Sequence, residues 1–258
     1  MSHYDYIIIG AGAAGLLLAD ALGKDEFFAS KTILVLDKDD KSKNDRTWCF
    51  WERGLGEFDK LLYKTWDSIY VGGKQLQKST SIAPYTYKML RGIDFYNHFL
   101  PKVRAYPNIT WVQEEVQHID EQENEVLVTT SSQKYLGRTV FSSLYDPSLP
   151  LKQSKFPVLQ QHFVGWQIKT EQSVFDSKEA TFMDFSVEQK GNTRFMYVLP
   201  FSDNEALVEY TLFSEHLLDK NDYEEAIKTY IATNLGNTPY TIKETEFGSI
   251  PMTCYPFH

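Results

Sequence analysis

Residues 4–37 read YDYIIIGAGAAGLLLADALGKDEFFASKTILVLD. A short apolar, β-branched run (Tyr4–Ile9) gives way to Gly10-Ala11-Gly12-Ala13-Ala14-Gly15, then to the helically spaced Leu16–Leu22, and then to a second apolar run, Thr32–Leu36, that closes on Asp37. Strand, glycine-rich turn, helix, strand and acid in that order predict a dinucleotide-binding βαβ unit. A lone GxGxxG string arises easily by chance, and it is the order of elements around this one that makes it specific. Gly10 permits the tight turn, Gly12 lets the backbone approach a pyrophosphate, and Gly15 allows close packing of helix on strand, with Ala11 and Ala14 completing the loop. Free N–H groups at the helix start favour the pyrophosphate charge. Asp37 stands where ribose hydroxyls are held and would repel a 2′-phosphate, and Lys38, the next residue, is counted with it among the cofactor-side residues. The plain alternative is an ordinary glycine-rich turn with a surface aspartate.

The bulk numbers narrow the partners. The chain has 258 residues, 42% hydrophobic and 15% aromatic, enough for one large domain or two interleaved ones. Lys and Arg total 26 against 35 Asp and Glu, a net charge of -9 that argues against nucleic-acid binding. The two cysteines, Cys49 and Cys254, and the six histidines have no disulfide or metal-ligand spacing, so no metal is expected and a reducing, cytoplasmic setting is. No run approaches the roughly 20 apolar residues of a membrane span. The apolar start is not read as a signal peptide either, because Asp5 stands where a positive charge belongs and the glycines have their own explanation.

Further along, Ser68–Ser81 reads as short strands turning at Gly72-Gly73, and Met89–Val103 has helical spacing. Ile109–Val112, Val116–Ile119, Glu125–Thr130 and Thr139–Leu144 read as strands. Phe163–Phe213 is a set of alternating strands with a hairpin at Ser202-Asp203-Asn204, and Asp222–Leu235 is an amphipathic helix. A short run, Glu246–Met252, precedes the end at His258. The fold class is α/β, a Rossmann-like unit interleaved with an antiparallel sheet. The expected boundaries are 1–150 for the nucleotide domain with inserted strands, 151–240 for the sheet domain and its helix, and 241–258 for the start of a return to the first domain.

Several segments together resemble the lycopene cyclase family. Asp45-Arg46-Thr47-Trp48-Cys49-Phe50 is similar to its loop after the ribose acid, Phe182-Met183-Asp184-Phe185 to its Met-Asp strand, and Phe195–Pro200 to its aromatic strand. Leu207-Val208-Glu209-Tyr210-Thr211 resembles the strand carrying its essential acid, and Glu246, Gly248 and Ile250-Pro251-Met252 the start of its return to the nucleotide domain. The resemblance implies that the dinucleotide is FAD, in a domain of the glutathione-reductase and hydroxylase type. It adds Arg46, Trp48, Arg91 at a helix start, Val116 and the 139–146 segment to the cofactor-side residues. Arg91 as a surface cation and Val116 as plain core stand beside those roles. Family members run on beyond the Ile-Pro-Met segment, so this chain is expected to lack their C-terminal part.

The implied reaction is redox-neutral: a ψ end group of lycopene is protonated, closes to a ring through a carbocation and loses a proton. An alkene is a very weak base, so the acid must stay neutral at physiological pH, as burial among apolar groups allows. The resemblance assigns this to Glu209, whereas the strand pattern alone would put Glu209 on a wet face. Asp184 either tunes that acid as a second carboxylate or is a strand-edge residue bonded to backbone. Reduced flavin and the rings of Trp48, Trp166, Phe195 and Tyr197 would shelter the cation. NAD(P)H would act as an external reductant. A C40 hydrocarbon implies peripheral membrane attachment. The rival expectations are a monooxygenase or prenyl reductase on the same fold, or a truncated chain that binds FAD or lipid without catalysis.

Overall fold

The computed structural model describes residues 1–146, 148–236 and 238–256. In chain order its elements are β1 (Ser2–Ile9), α1 (Ala13–Lys24), β2 (Ile33–Asp37), β3 (Thr47–Arg53), β4 (Lys64–Trp66), β5 (Ser68–Gly72), β6 (Gln77–Ser81), β7 (Tyr85–Arg91) and α2 (Gly92–Ala105). They continue with β8 (Ile109–Gln113), β9 (Val116–Glu121), β10 (Val126–Thr130), β11 (Lys134–Ser142), β12 (Val158–Thr170), β13 (Glu179–Asp184), β14 (Arg194–Pro200), β15 (Glu205–Ser214), α3 (Lys220–Asn234) and β16 (Tyr240–Thr253). Two compact units result. The first is Met1–Trp48, Phe58–Tyr63 and Met89–Tyr145, and the second is Cys49–Glu57, Lys64–Lys88 and Asp146–His258.

The first unit is built on a six-stranded sheet of order β8-β2-β1-β11-β10-β9. Its β8, β2, β1 and β11 run parallel, and β10 and β9 complete an antiparallel edge. Every residue of β2 is buried, the mark of a parallel strand covered on both faces. Ile7, Ile9, Leu34, Leu36, Val128 and Tyr135 form one core cluster of this unit. This is the Rossmann-like half of the expected α/β fold.

The second unit centres on a seven-stranded sheet, β16-β12-β15-β14-β13-β5-β6, antiparallel except between β13 and β5. Helix α3 covers one face: Tyr223, Ile227, Tyr230 and Ile231 pack with Trp166, Met196, Val208 and Tyr210. The small sheet β3-β7-β4 belongs for the most part to the same unit.

Several local expectations shift. Met89–Arg91 ends strand β7, and α2 begins only at Gly92, because a short buried apolar run carries no period that separates strand from helix. The Gly72-Gly73 turn is a longer connection, with β6 starting at Gln77. The short run 246–252 is part of a fourteen-residue strand, β16, paired along the whole of β12. The compact units therefore cut the chain elsewhere than at 150 and 240. Residues 49–57 and 64–88 fall in the second unit, and 240–253 form the edge of its sheet rather than a return to the first.

Candidate functional site

The turn between β1 and α1 has the geometry its glycines predict. Gly10 has φ +93°, and its N–H donates to the Leu36 carbonyl at 2.8 Å, tying the loop to the end of β2. A Cβ on Gly10 would collide with Ser143, and one on Gly15 would collide with the Gly10 carbonyl oxygen. A Cβ on Gly12 would meet nothing within 4 Å. Gly10 and Gly15 are thus required by the protein's own packing, while Gly12 opens onto free space beside the first turn of α1. That turn carries no acidic residue. An open approach to unpaired helix N–H groups is a cradle that fits a pyrophosphate.

Asp37 lies at the rim of this loop. Its Oδ2 accepts from the Ala11 N–H at 2.6 Å and its Oδ1 from the Asp39 N–H at 2.8 Å, with the Lys41 ammonium 3.2 Å away. Lys41 also lies 5.6 Å over the ring of Tyr96, whose hydroxyl donates to Asp45 at 2.8 Å. Through this chain of contacts the glycine loop, Asp37 and the 45–48 segment are brought together. Trp48 packs edge-on against Phe95 and Tyr96, and the Arg46 carbonyl accepts from the Gly92 N–H at 2.7 Å.

The other cofactor-side residues are placed less tellingly. The Arg46 guanidinium is exposed and donates to the carbonyl of Asp45, and Lys38 reaches out to Glu115 at 3.5 Å. Arg91 precedes α2, is bidentate to Asp94 at 2.7 and 3.1 Å, and stacks 4.0 Å over Tyr63. Val116 packs on the core of the first unit, which is the plainer of its two expected roles.

In the second unit the register of four strands creates a polar row on one face. Glu246 of β16 is opposite Gly165 of β12, Gly165 is opposite Glu209 of β15, and Glu209 is opposite Tyr197 of β14. Directly opposed residues share a face. Glu209 is only 9% exposed, so the expected wet-face position is overturned. Its Oε1 accepts from the Thr211 hydroxyl at 2.6 Å. Burial pushes the Glu209 carboxyl up to about 8, the charge of Glu246 adds to the rise, and the Thr211 hydroxyl opposes it. Rings gather on this face: Phe195 and Tyr197 have centroids 5.0 Å apart, Phe182 lies 5.8 Å from Tyr197, and Tyr87 lies 5.5 Å from Phe182. Burial also raises the Cys49 thiol and the Tyr197 hydroxyl to about 12.

Asp184 belongs to the other face. It is opposite Met196, which is opposite Tyr210, the α3 side of the sheet. There it accepts from the Tyr230 hydroxyl at 2.8 Å and from the Ser186 N–H at 2.9 Å. A carboxylate on the opposite face of the sheet does not tune Glu209, so that expectation is corrected and the backbone-bonded alternative holds. Trp166, in the same α3-side core, is likewise no shelter for a cation formed at Glu209, whereas Phe195 and Tyr197 are on the matching face. Sequence reading missed Glu246 as an acid, along with Cys49, Tyr87 and Phe182 as its surroundings. The signal for Glu246 was its place in the register opposite a glycine, and that needs three strands aligned.

Residues 5–257 match the family described as lycopene cyclase protein. The chain is 23% identical over 259 residues to a lycopene beta-cyclase from Pantoea ananas, covering 97% of this chain but 63% of that protein, so it spans under two thirds of the curated relative it matches. Among solved structures it resembles a p-nitrophenol 4-monooxygenase from Pseudomonas putida DLL-E4, with TM-score 0.66, 14% identity, and 98% of this chain and 69% of the other covered. It also resembles a geranylgeranyl bacteriochlorophyll reductase-like protein from Thermoplasma acidophilum, with TM-score 0.66, 11% identity, and 97% and 66% covered. At these identities the likeness speaks for the fold alone, while the match along nearly the whole sequence carries the assignment: the chain belongs to the lycopene cyclase family.

Proposed function

We propose that this chain forms the FAD-binding and acid-bearing part of a lycopene cyclase that closes ψ end groups to β rings. The observation that carries the reading is Glu209, a carboxyl group walled in on an aromatic sheet face and thereby kept protonated near neutrality. Its O–H delivers a proton to the terminal alkene. The π pair forms the new C–H bond and leaves a tertiary cation, the neighbouring double bond attacks that cation to close the six-membered ring, and the ring cation loses one proton. Substrate and product have the same formula. The electron-rich faces of Phe182, Phe195 and Tyr197 stabilise positive charge without offering a nucleophile.

The glycine loop and Asp37 would hold the pyrophosphate and ribose of FAD. When bound and reduced, with NAD(P)H as the external reductant, the flavin supplies negative charge that favours the cation. On the Glu246 side of the same sheet face, Leu159, Ile250 and Met252 are exposed apolar side chains, which suits a hydrocarbon drawn from a membrane surface. Among the described residues no helix is long and apolar enough to cross a membrane, so attachment would be peripheral.

The test is expression in lycopene-accumulating cells, with pigments separated by chromatography and Glu209→Gln in parallel. Conversion to a monocyclic or bicyclic carotene that disappears in the Gln variant supports the reading. Stoichiometric consumption of NADPH or oxygen would make the chain a reductase or monooxygenase instead. Retained FAD with unconverted lycopene would leave a cofactor-binding chain without cyclase activity.

A further inference from the structure

The proposed mechanism uses one carboxyl group, but the sheet brings up two. Glu246 and Glu209 stand on strands β16 and β15, separated by β12, and on a sheet face two such side chains are normally divided by the residue between them. Here that residue is Gly165. A Cβ on it would come within 2.9 Å of Leu207 Cδ1, 3.0 Å of Glu246 Cγ and 3.1 Å of Glu246 Oε1, so the Leu207 and Glu246 side chains already share the space a residue at 165 would fill. One step along the strands the arrangement is reversed: the Phe163 ring of β12 lies over Gly248 of β16. The sheet thus leaves a gap at Gly165, and Glu246 lies across it within hydrogen-bonding reach of Glu209.

The two ends of the pair differ. Glu209 is buried on a central strand, whereas Glu246 is half-buried on the edge strand, whose neighbours Thr245 and Phe247 are exposed. The titratable groups facing the pair are Tyr197 from β14, Cys49 from β3 and Tyr87 from β7, each pushed up and therefore neutral, and Thr211 donates to Glu209 from its own strand. Two carboxylates in hydrogen-bond contact cannot both be ionised without a large repulsion, and a shared proton relieves it.

We propose that Glu246 is a positioning residue for Glu209: the two carboxyl groups hold one proton between them across the gap at Gly165, with Glu246 as the end that exchanges with solvent. The proposal rests on the cyclase reading for its use but not for its detection. In a turnover the Glu209 O–H bond breaks toward the alkene and leaves both groups as carboxylates; Glu246 then takes a proton from water and passes it to the Glu209 carboxylate, restoring the one shared proton. The proton lost by the ring cation returns to solvent, so none is gained or lost overall.

The experiment is carbon-13 NMR of the full chain with glutamate Cδ labelled, titrated from pH 4 to 10, with Glu209→Gln and Glu246→Gln used for assignment. Coupled groups give two Cδ signals that each move at the same two pH values. In Glu246→Gln the Glu209 midpoint falls by about one pH unit or more. The alkaline limb of cyclisation moves down by the same amount, which a merely structural role would not cause. Two independent single-step curves for the pair in the wild-type chain overturn the dyad, and the conservative Glu209→Asp and Glu246→Asp chains assign the signals if a Gln variant fails to fold. An unmoved Glu209 midpoint in a folded Glu246→Gln chain does so too. Coupled titration without any cyclisation would keep the dyad and sink the cyclase reading. Cyclisation that depends on Glu209 with uncoupled curves would do the reverse.

Discussion

At Glu209 the protonated state that the proposed role needs carries a cost in stability. The folded chain holds this carboxyl protonated well above the usual range because it is buried beside another acid, whereas the unfolded chain releases the proton near 4.5. Between those two values the folded state binds more protons than the unfolded one, so raising the pH favours unfolding. For a single such group the slope approaches about 1.4 kcal/mol per pH unit. We expect the free energy of urea unfolding to fall as pH rises from 5 to 8 and then to level off, and Glu209→Gln to flatten that decline. A wild-type curve as flat as the variant's would mean that the carboxyl is ionised in the fold.

The three loop glycines separate just as cleanly. Gly15→Ala drives a Cβ into the Gly10 carbonyl, a backbone atom that cannot step aside, and should cost at least about 2 kcal/mol in thermal or chemical unfolding. Gly12→Ala meets nothing in the protein and should change stability by no more than about 1 kcal/mol. If the cradle holds a pyrophosphate, the same Gly12→Ala change should strip FAD from the purified chain, read as loss of flavin absorbance. A Gly12→Ala chain with full flavin content would show that the open space serves something else.

At the scale of elements, Asp184 belongs to the attachment of α3. Tyr230 reaches from the helix to this buried carboxylate, and Tyr230→Phe would remove one of its donors at a cost of about 1–3 kcal/mol. Asp184→Asn should likewise lower the unfolding midpoint while leaving the pH dependence tied to Glu209 in place. If Asp184→Asn instead shifted that dependence, the two carboxyl groups would be communicating through the sheet. Asp184, which the sequence left between two roles, shows where sequence reading stops. Its strand has a register irregularity between Thr181 and Asp184, which changes the face that an alternating pattern would assign. Glu246 was hidden for a related reason: β16 is an edge strand whose polar residues need no apolar alternation, so the short run at Glu246–Met252 shows neither the strand's start at Tyr240 nor the face of Glu246. The β1-loop-α1-β2 unit was legible because its strands, loop and helix all lie within residues 4–37, with Gly15 fixed by a contact inside that span and Gly10 by Ser143. Glu209 and Glu246 become a pair only through the alignment of β15, β12 and β16.

At the scale of the whole molecule, charge decides how the proposed cyclase would meet a membrane. With 35 acidic residues against 26 basic ones, the net charge of -9 repels an anionic bilayer over a Debye length of about 8–10 Å at physiological salt. If the chain attaches to a membrane as proposed, the attachment would come from apolar side chains such as Leu159, Ile250 and Met252, whose transfer into lipid does not depend on headgroup charge. In flotation with vesicles we expect binding to zwitterionic lipid, weaker binding as anionic lipid is added at low salt, and recovery of that loss as salt screens the repulsion. Replacing Ile250 and Met252 together by serine should weaken binding to all vesicles alike. Stronger binding to anionic vesicles, reversed by salt, would instead require a local basic patch that outweighs the net charge, and the apolar face beside Glu246 would not be the attachment surface.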